Sequence, residues 1–155
     1  MKTTVTLGPA RMGEAARIAG MSRALIEPGL PWSWTPRRVA AHMRQRDNMV
    51  VTARTDKDLV GFAMAHFGDD SVHVTLLAVA ESAQRQGVGR QLLDWIEESA
   101  VTAGVFTVEL ELRAGNAGAK RFYTALGYRE TLRVPRYYSG LEDAIRMARN
   151  LKIAG

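Results

Sequence analysis

Three consecutive segments in the middle of the chain constrain the fold most. Residues 48–54, 59–67 and 71–79 are rich in β-branched side chains, and only short Asp-Lys-Asp and Gly-Asp-Asp stretches separate them. Such runs with tight polar turns predict consecutive antiparallel strands. Because helical patterns lie on both sides of this block, the sequence predicts an α/β domain built on a mixed, partly antiparallel sheet.

Four segments carry helical signals. Thr35 followed by Pro36 is typical of an N-cap with proline at the first helical position. Gly104 and Gly127 each follow an apolar stripe with helical spacing, as C-terminal glycines do. The predicted helices are Arg11–Glu27, Thr35 to about Arg46, Arg85–Ala103 and Asn116–Leu126.

Alternating or β-rich patterns predict further strands at Met1–Leu7, Val105–Arg113 and Tyr128–Arg133. The last segment, Leu141–Leu151, is ambiguous. Its apolar residues recur at helical spacing, which by itself predicts a helix.

A chain of 155 residues is expected to form one domain spanning 1–155. It has no cysteine, which excludes disulfides, thiolate metal sites and a cysteine nucleophile. The three histidines (His42, His66 and His73) lack metal-ligand spacing, so we expect structural or surface roles and no metal. With no apolar leader and no uncharged run long enough to span a bilayer, we expect a soluble cytoplasmic protein that binds no membrane.

The formal net charge is +5. A positive balance favours polyanionic partners such as a phosphorylated cofactor, RNA or a ribosome surface. Many basic soluble proteins carry such a charge for no specific reason. Because the basic residues are dispersed, with no run of five, we expect no specific nucleic-acid binding.

A glycine-containing turn, Gln84-Arg85-Gln86-Gly87-Val88-Gly89-Arg90, joins a predicted strand to a predicted helix. Two glycines let successive backbone N–H groups point into one concavity, and the helix N-terminus adds positive charge. Two arginines strengthen this potential pyrophosphate site. A plain strand-to-helix turn is the alternative. No Gly-Lys-Ser/Thr follows and the third glycine of a dinucleotide fingerprint is missing, so neither of those nucleotide loops is indicated.

The spacing Gln84-x-x-Gly87-x-Gly89 resembles the acetyl-coenzyme A (acetyl-CoA) loop of the GCN5-related N-acetyltransferases, the GNAT family. Residues resembling the family's second motif are Asn116, Phe122, Tyr123, Leu126, Gly127 and Tyr128. The resemblance implies a GNAT fold, with a twisted, mostly antiparallel sheet of six to seven strands and about four helices. It also implies acetyl-CoA as co-substrate, bound by Leu77, Ala78, Val79, Gln84, Arg85, Gln86, Gly87, Val88, Gly89, Arg90 and Asn116.

Within that family the chain resembles the protein N-terminal acetyltransferases, including those acting on a ribosomal-protein alanine. The stretches concerned are Leu77-Ala78-Val79, Leu110–Asn116, the Phe122-Tyr123 pair, Pro135–Tyr138 with Glu142-Asp143-Ala144, and the Pro31-Trp32 loop. The resemblance implies that a protein N-terminus, such as a ribosomal one, is the acceptor, and that Tyr137 and Tyr138, with Trp32 and Trp34, wall its groove. Core anchoring beneath a loop is the alternative for the tryptophans, of which we assign Trp32 to substrate binding. The resemblance also implies a strand for the last segment, which we prefer to the helix. We expect a monomer or weak homodimer. The Ser139-Gly140-Leu141 linker departs from the pattern of these relatives.

Two residues are candidates for proton transfer. Strand alternation places Glu109 and Glu111 on one face, which is either solvated or functional. By resemblance, Glu111 is the proton acceptor. Tyr123 is either a core tyrosine or, by resemblance, the acid that protonates the leaving thiolate. The resemblance also implies that a backbone N–H near Val79 binds the thioester oxygen.

Three functions are compatible with these residues. The preferred one is direct acetyl transfer, within a ternary complex, to the α-amino group of a protein N-terminus. The second is acetylation of a small-molecule amine such as a polyamine, an antibiotic or an amino acid. The third is a non-catalytic acetyl-CoA sensor, which the presence of both Glu111 and Tyr123 disfavours.

Overall fold

The computed structural model describes residues 4–152. Within this range the strands are β1 Thr6–Pro9, β2 Asn48–Arg54, β3 Leu59–Phe67, β4 Val72–Val79, β5 Thr107–Arg113, β6 Arg129–Tyr138 and β7 Glu142–Asn150. The α-helices are α1 Ala15–Leu25, α2 Pro36–Arg44, α3 Val88–Thr102 and α4 Ala117–Ala125. Short 3₁₀ helices cover Met12–Glu14 and Glu81–Ala83.

The seven described strands form one sheet in the order β1-β2-β3-β4-β5-β7-β6. Every neighbouring pair is antiparallel except β4 and β5, which are parallel. The predicted mixed, mostly antiparallel sheet with four helices is therefore confirmed. None of the helices described between residues 4 and 152 is long and apolar enough to cross a membrane.

A bulge at Thr75 opens the sheet beside β4. The β3–β4 register steps from Ala65 opposite Val74 to Met64 opposite Leu76, so Thr75 is an extra residue in β4. Pairing of β4 with β5 ends at the same point, at Val74 opposite Leu110. A bulge bends and twists its strand. The remainder of β4 therefore diverges from β5, and a gap forms between the two parallel strands.

The same bulge exchanges the faces of β4. Before it, Val72 and Val74 pack in the core on the α3 side of the sheet. After it, Leu76 and Ala78 pack in the second core, with residues of α1 and α2. Uninterrupted alternation would place all four residues on one face. The sheet is thus covered on both sides, and the gap lies between the two layers.

The last segment is a strand, so its helical spacing is misleading while the strand implied by family resemblance is confirmed. β7 pairs with β5 on one side and β6 on the other. A strand enclosed in this way can bury adjacent residues on opposite faces, as Ala144 and Ile145 do. Leu141, the first residue of the supposed apolar stripe, is instead 67% exposed in the preceding turn.

Several predicted boundaries also require correction. β1 begins at Thr6, not at Met1, whose placement lies outside the described residues. α1 begins at Ala15, directly after a separate 3₁₀ helix, and ends at Leu25. α2 ends at Arg44. α3 begins at Val88 because Gly87, with φ of +82°, forms its N-cap. β5 begins at Thr107, and β6 continues past Arg133 to Tyr138.

Candidate active site

Three adjoining cavities cross the protein at the gap between β4 and β5. The glycine-loop cavity, of about 780 Å³, lies between the predicted loop and α4. The central cavity, of about 270 Å³, shares Asn116 and Tyr123 with it. The tyrosine cavity, of about 290 Å³, shares Glu111 and Tyr138 with the central one. The shared walls place the three cavities side by side in one row, which we call the groove.

The glycine loop presents backbone N–H groups to its cavity. Arg85 and Gly87 both have left-handed backbones, with φ of +63° and +82°. Left-handed residues in such a turn direct neighbouring N–H groups into a concavity, and the first N–H groups of α3 have no acceptor within the helix. The Gln84 side-chain amide donates to the Val79 carbonyl at 2.8 Å, which ties the loop to the end of β4.

The two glycines of the loop serve different purposes. A Cβ on Gly89 would lie 3.3 Å from Phe122 Cζ, so its small size lets α3 approach α4 closely. A Cβ on Gly87 would meet no atom within 4 Å, so that position requires glycine for its positive φ alone.

Most of the residues predicted to bind acetyl-CoA line the glycine-loop cavity. They are Leu77, Ala78, Val79, Gln84, Arg85, Gly87, Val88, Gly89 and Asn116. Gln86 and Arg90 are not in its wall, and the Gln86 amide donates to the Ser82 carbonyl at 3.3 Å. Arg121 of α4 is a further wall residue that the sequence analysis missed. Its position directly before Phe122-Tyr123 was the available signal.

The register of β3 and β4 explains how Val79 faces the gap. The Ala80 N–H donates to the Val60 carbonyl at 2.8 Å, and Val79 lies opposite Gly61. Hydrogen-bonded and non-bonded pairs alternate along an antiparallel ladder. Val79 is therefore at a non-bonded position, and its N–H points away from β3 toward the gap.

Asn116 and Tyr123 form the boundary between the glycine-loop and central cavities. The Asn116 side-chain oxygen accepts from the Ala119 N–H at 3.0 Å and caps α4. Tyr123 is 8% exposed and packs edge-to-face against Tyr128, with centroids 5.6 Å apart. Burial raises the pKa of the Tyr123 phenol above its usual value, so the hydroxyl stays protonated. Tyr123 is thus a core tyrosine that also lines the groove.

Glu111 is the charged centre of the groove. Its side chain is 5% exposed. Oε1 accepts from His73 Nε2 at 2.5 Å and from the Tyr137 hydroxyl at 3.2 Å, while Oε2 accepts from Arg146 Nε at 2.8 Å. The solvated-face interpretation is therefore wrong for Glu111. We call these four residues the Glu111 cluster.

The environment of Glu111 keeps it ionised. Burial raises the pKa of its carboxyl, but hydrogen bonds and charges from His73 and Arg146 outweigh burial and lower that pKa to about 2. A carboxylate of this kind is a strong local negative charge and a weak base.

The tyrosine cavity owes its shape to an irregularity in β6. Val134 lies opposite Ala144, whereas Tyr138 lies opposite Glu142, so β6 contains two more residues than β7 over this stretch. Adjacent residues of a regular strand point to opposite faces. Here both Tyr137 and Tyr138 line one cavity, with ring centroids 5.0 Å apart. Ser139-Gly140-Leu141 forms the turn of the hairpin.

The α1–α2 loop supplies the opposite wall through Trp34 rather than the predicted Trp32. Trp34 lines the tyrosine cavity beneath Arg38, whose guanidinium is 3.9 Å from the ring centroid. Trp32 is absent from the walls of the three cavities and packs under Arg23 at 4.9 Å.

A buried carboxylate, Glu27, holds this loop in place. Its Oε1 accepts from the Ser33 N–H at 2.7 Å and from the Trp34 N–H at 3.3 Å. Its Oε2 accepts from the Ser22 hydroxyl at 2.7 Å. The sequence analysis missed Glu27, because only the loop's return over α1 shows its role.

His73 and Arg146 were also missed as site residues. Arg146 lies directly opposite Glu111 in the β5–β7 register. His73 lies in the short paired part of β4 and reaches Glu111 from the neighbouring strand. The structural or surface role predicted for His73 is therefore incomplete, since its ring lines the groove. Between residues 4 and 152, no group of three or more His, Asp or Glu side chains is arranged to hold a metal ion.

Comparison with known proteins identifies the family. Residues 21–128 match the sequence model of the acetyltransferase (GNAT) family. The chain belongs to the GNAT family. Its members are N-acetyltransferases, and this GNAT protein is an enzyme of that class.

Two further comparisons concern protein N-terminal acetyltransferases. The [ribosomal protein bS18]-alanine N-acetyltransferase of Salmonella typhimurium is 38% identical over 104 residues, covering 65% of this chain and 69% of the relative. The crystal structure of the ribosomal-protein-S18-alanine N-acetyltransferase of Escherichia coli has a TM-score of 0.82 and 28% identity, covering 98% and 97% of the two chains.

Arabidopsis thaliana NAA60, solved in complex with acetyl-CoA, has a TM-score of 0.83 and covers 97% of this chain and 100% of its own. At 18% identity, that similarity shows the fold alone.

Proposed function

We propose that this GNAT enzyme transfers an acetyl group from acetyl-CoA to the α-amino group of a protein N-terminus, such as that of a ribosomal protein. The observation that carries the proposal is the row of adjoining cavities that leads from the glycine loop, past Tyr123 and Glu111, to the tyrosine cavity. Two substrates in adjoining cavities can react directly, without a covalent enzyme intermediate.

The glycine-loop cavity suits acetyl-CoA. Backbone N–H groups and the α3 N-terminus favour a pyrophosphate, and Arg85 and Arg121 in the wall add positive charge. Asn116 at the entrance to the central cavity is placed to bond the pantetheine arm. Acetyl-CoA supplies the reactive thioester. The outward-facing Val79 N–H is positioned for the carbonyl oxygen of that thioester, where negative charge develops during transfer.

The chemistry of the Glu111 cluster favours an α-amine over a lysine. An α-amino group has a pKa of ~7.8, so roughly a quarter is neutral at pH 7.4, whereas a lysine near ~10.4 is about 0.1% neutral. A carboxylate with a pKa of about 2 is a poor base for removing a lysine proton. The cluster instead stabilises the proton released when an already neutral amine attacks. We therefore place proton acceptance at the Glu111 cluster.

Tyr123 is the proposed donor to the leaving sulfur. Its hydroxyl is kept protonated by burial, and the residue lies where the glycine-loop and central cavities meet. The thiol of coenzyme A should resemble that of cysteine, with a pKa near ~8.5. A protonated phenol can donate a hydrogen bond to the departing thiolate and serve as its proton donor.

The proposal is tested by measuring the rate at which coenzyme A is released from acetyl-CoA in the presence of different acceptor amines. Peptides with a free N-terminal Ala, Ser or Met are compared with N-blocked, lysine-containing versions, and with spermidine and an aminoglycoside. Turnover that requires the free N-terminus is expected. Turnover confined to spermidine or the aminoglycoside would assign the enzyme to small amines instead. Tight acetyl-CoA binding without turnover on any acceptor would favour the sensor.

A further inference from the structure

We propose that His73 is a second catalytic residue, whose Nδ1 takes the proton from the acceptor amine while Glu111 orients its imidazole ring. This inference rests on the proposed function and assigns the proton to one atom of the Glu111 cluster. Glu111 then acts as a positioning residue through His73.

The tautomer of His73 follows from its partner. An ionised carboxylate only accepts hydrogen bonds, so the Nε2 atom, 2.5 Å from Glu111 Oε1, carries the hydrogen. In the neutral ring, Nδ1 then has the free lone pair. In the part of the chain that the structure describes, no hydrogen bond to Nδ1 is found. The ring lines the tyrosine cavity and its side chain is 36% exposed, so an incoming amine can reach it.

Glu111 itself is badly placed to take the proton. Oε1 already accepts from His73 and Tyr137, and Oε2 from Arg146, in a side chain that is 5% exposed. Protonation would also remove the charge that pairs with Arg146. A proton on His73 has the opposite effect, because the imidazolium forms an ion pair with the Glu111 carboxylate.

Charged and titratable groups on β3, β5, β6, β7, α2 and the α1–α2 loop lie near His73. Glu111 makes the direct contact. His73 lies opposite His66 in the β3 register and beside Glu109 in the β5 register. The other groups around the tyrosine cavity or in the Glu111 cluster are Glu27, Arg38, Tyr137, Tyr138 and Arg146.

The proposed proton transfers balance. The amine nitrogen bonds to the acetyl carbon as the carbon–sulfur bond breaks. The proton lost by the nitrogen passes to His73 Nδ1, and the sulfur receives a proton from the Tyr123 hydroxyl. His73 returns its proton through water to Tyr123. The products are the acetylated amine and the free thiol, with both side chains restored.

His73→Gln is the direct test, because the glutamine amide can still donate to Glu111. The matched control is His66→Gln, which alters the residue opposite His73 on β3, outside the walls of the three cavities. For a peptide with a free N-terminus, we expect His73→Gln to lower kcat about 100-fold, the usual scale for a general base. KM for the peptide and Kd for acetyl-CoA should change less than twofold, and His66→Gln should resemble the wild type.

A further readout separates a catalytic from a structural role. Added imidazole should restore part of the rate lost in His73→Gln and should not raise the rate of His66→Gln. A His73→Gln variant that keeps more than half of the wild-type kcat, or whose lost rate imidazole does not restore, would overturn the assignment. A wild-type enzyme that acetylates no N-terminus would overturn the proposed function, and this inference with it.

Discussion

The two ends of the groove are built in different ways. The glycine-loop end comes mainly from one contiguous stretch, residues 77–89, backed by α4. The tyrosine end combines residues from the α1–α2 loop, α2, β4, β5 and the β6–β7 hairpin. The first presents backbone N–H groups, and the second presents side chains held by hydrogen bonds and ion pairs. Under the proposed function, binding of acetyl-CoA and choice of the acceptor depend on separate parts of the molecule.

Substitution of Glu111 should separate the two ends of the groove most clearly, because we expect the largest loss of activity there with little change in acetyl-CoA binding. Glu111→Gln removes the charge on which three donors converge. It should lower kcat/KM for a peptide about 1,000-fold, because the variant loses the orientation of the proton acceptor His73 and also leaves Arg146 without its ion-pair partner. Kd for acetyl-CoA should stay within twofold of the wild type, by calorimetry.

Glu109→Gln is the matched control, because it removes a carboxylate from the same face of the same strand. It should retain most of the activity. Equal losses in the two variants would mean that Glu111 has no special role.

The ionised Glu111 carboxylate should also make a pH-dependent contribution to the free energy of unfolding. Its pKa of about 2 in the folded protein lies below the ordinary 4.5, so its stabilising contribution is full above pH 4.5 and is lost as the pH falls toward 2. The stability advantage of the wild type over Glu111→Gln should shrink by about 2 kcal/mol between pH 5 and pH 3. Urea unfolding at both pH values measures this difference. A constant advantage would contradict the buried ion-pair arrangement.

At the glycine-loop end, backbone conformation should matter most. Gly87 and Gly104 border opposite ends of α3, both have positive φ, and a Cβ on either would meet no atom within 4 Å. Alanine at either position should cost about 1 kcal/mol of stability, because an L-residue is strained there.

Only Gly87→Ala should also disturb the backbone N–H groups of the glycine loop, which we propose to bind the pyrophosphate. We expect it to raise Kd for acetyl-CoA about tenfold, equivalent to about 1.4 kcal/mol. Gly104→Ala should leave that Kd unchanged. If both variants weaken acetyl-CoA binding equally, general destabilisation of α3 explains the result.

The smallest predicted effect concerns the tyrosine pair. Tyr137→Phe removes one donor to Glu111, whereas no hydrogen bond from the Tyr138 hydroxyl is found within residues 4–152. We expect Tyr137→Phe to lower kcat/KM for the peptide about threefold, the loss of a modest hydrogen bond. Tyr138→Phe should change it less than twofold. The opposite ranking in steady-state kinetics would transfer the polar role to Tyr138.

The contrast between the two ends also explains what the sequence could predict. The glycine loop is readable because its signal is local: a strand, two spaced glycines and a helix. Strand alternation is equally local and placed Glu109 and Glu111 on one face, but only the family resemblance selected Glu111 between them. The partners of Glu111 depend on which strands pair and in what register, and no local pattern encodes this.

Irregularities in β4 and β6 account for other features of the site that the sequence did not predict. The Thr75 bulge reverses the faces of β4, and the left-handed Arg136, with φ of +53°, lies within the irregular stretch that brings both tyrosines to one cavity. Neither residue type marks such a feature. The choice of Trp32 over Trp34 is a related case, because the fold of the loop decides which ring meets the groove.

One peptide with two amines tests the central claim most directly. A peptide with a free N-terminal alanine and an internal lysine is incubated with enzyme and acetyl-CoA at pH 7.4, and tandem mass spectrometry locates the acetyl group. Our account predicts acetylation at the α-amino group, with the lysine unmodified. Acetylation of the lysine, at a rate unaffected by blocking the N-terminus, would contradict it.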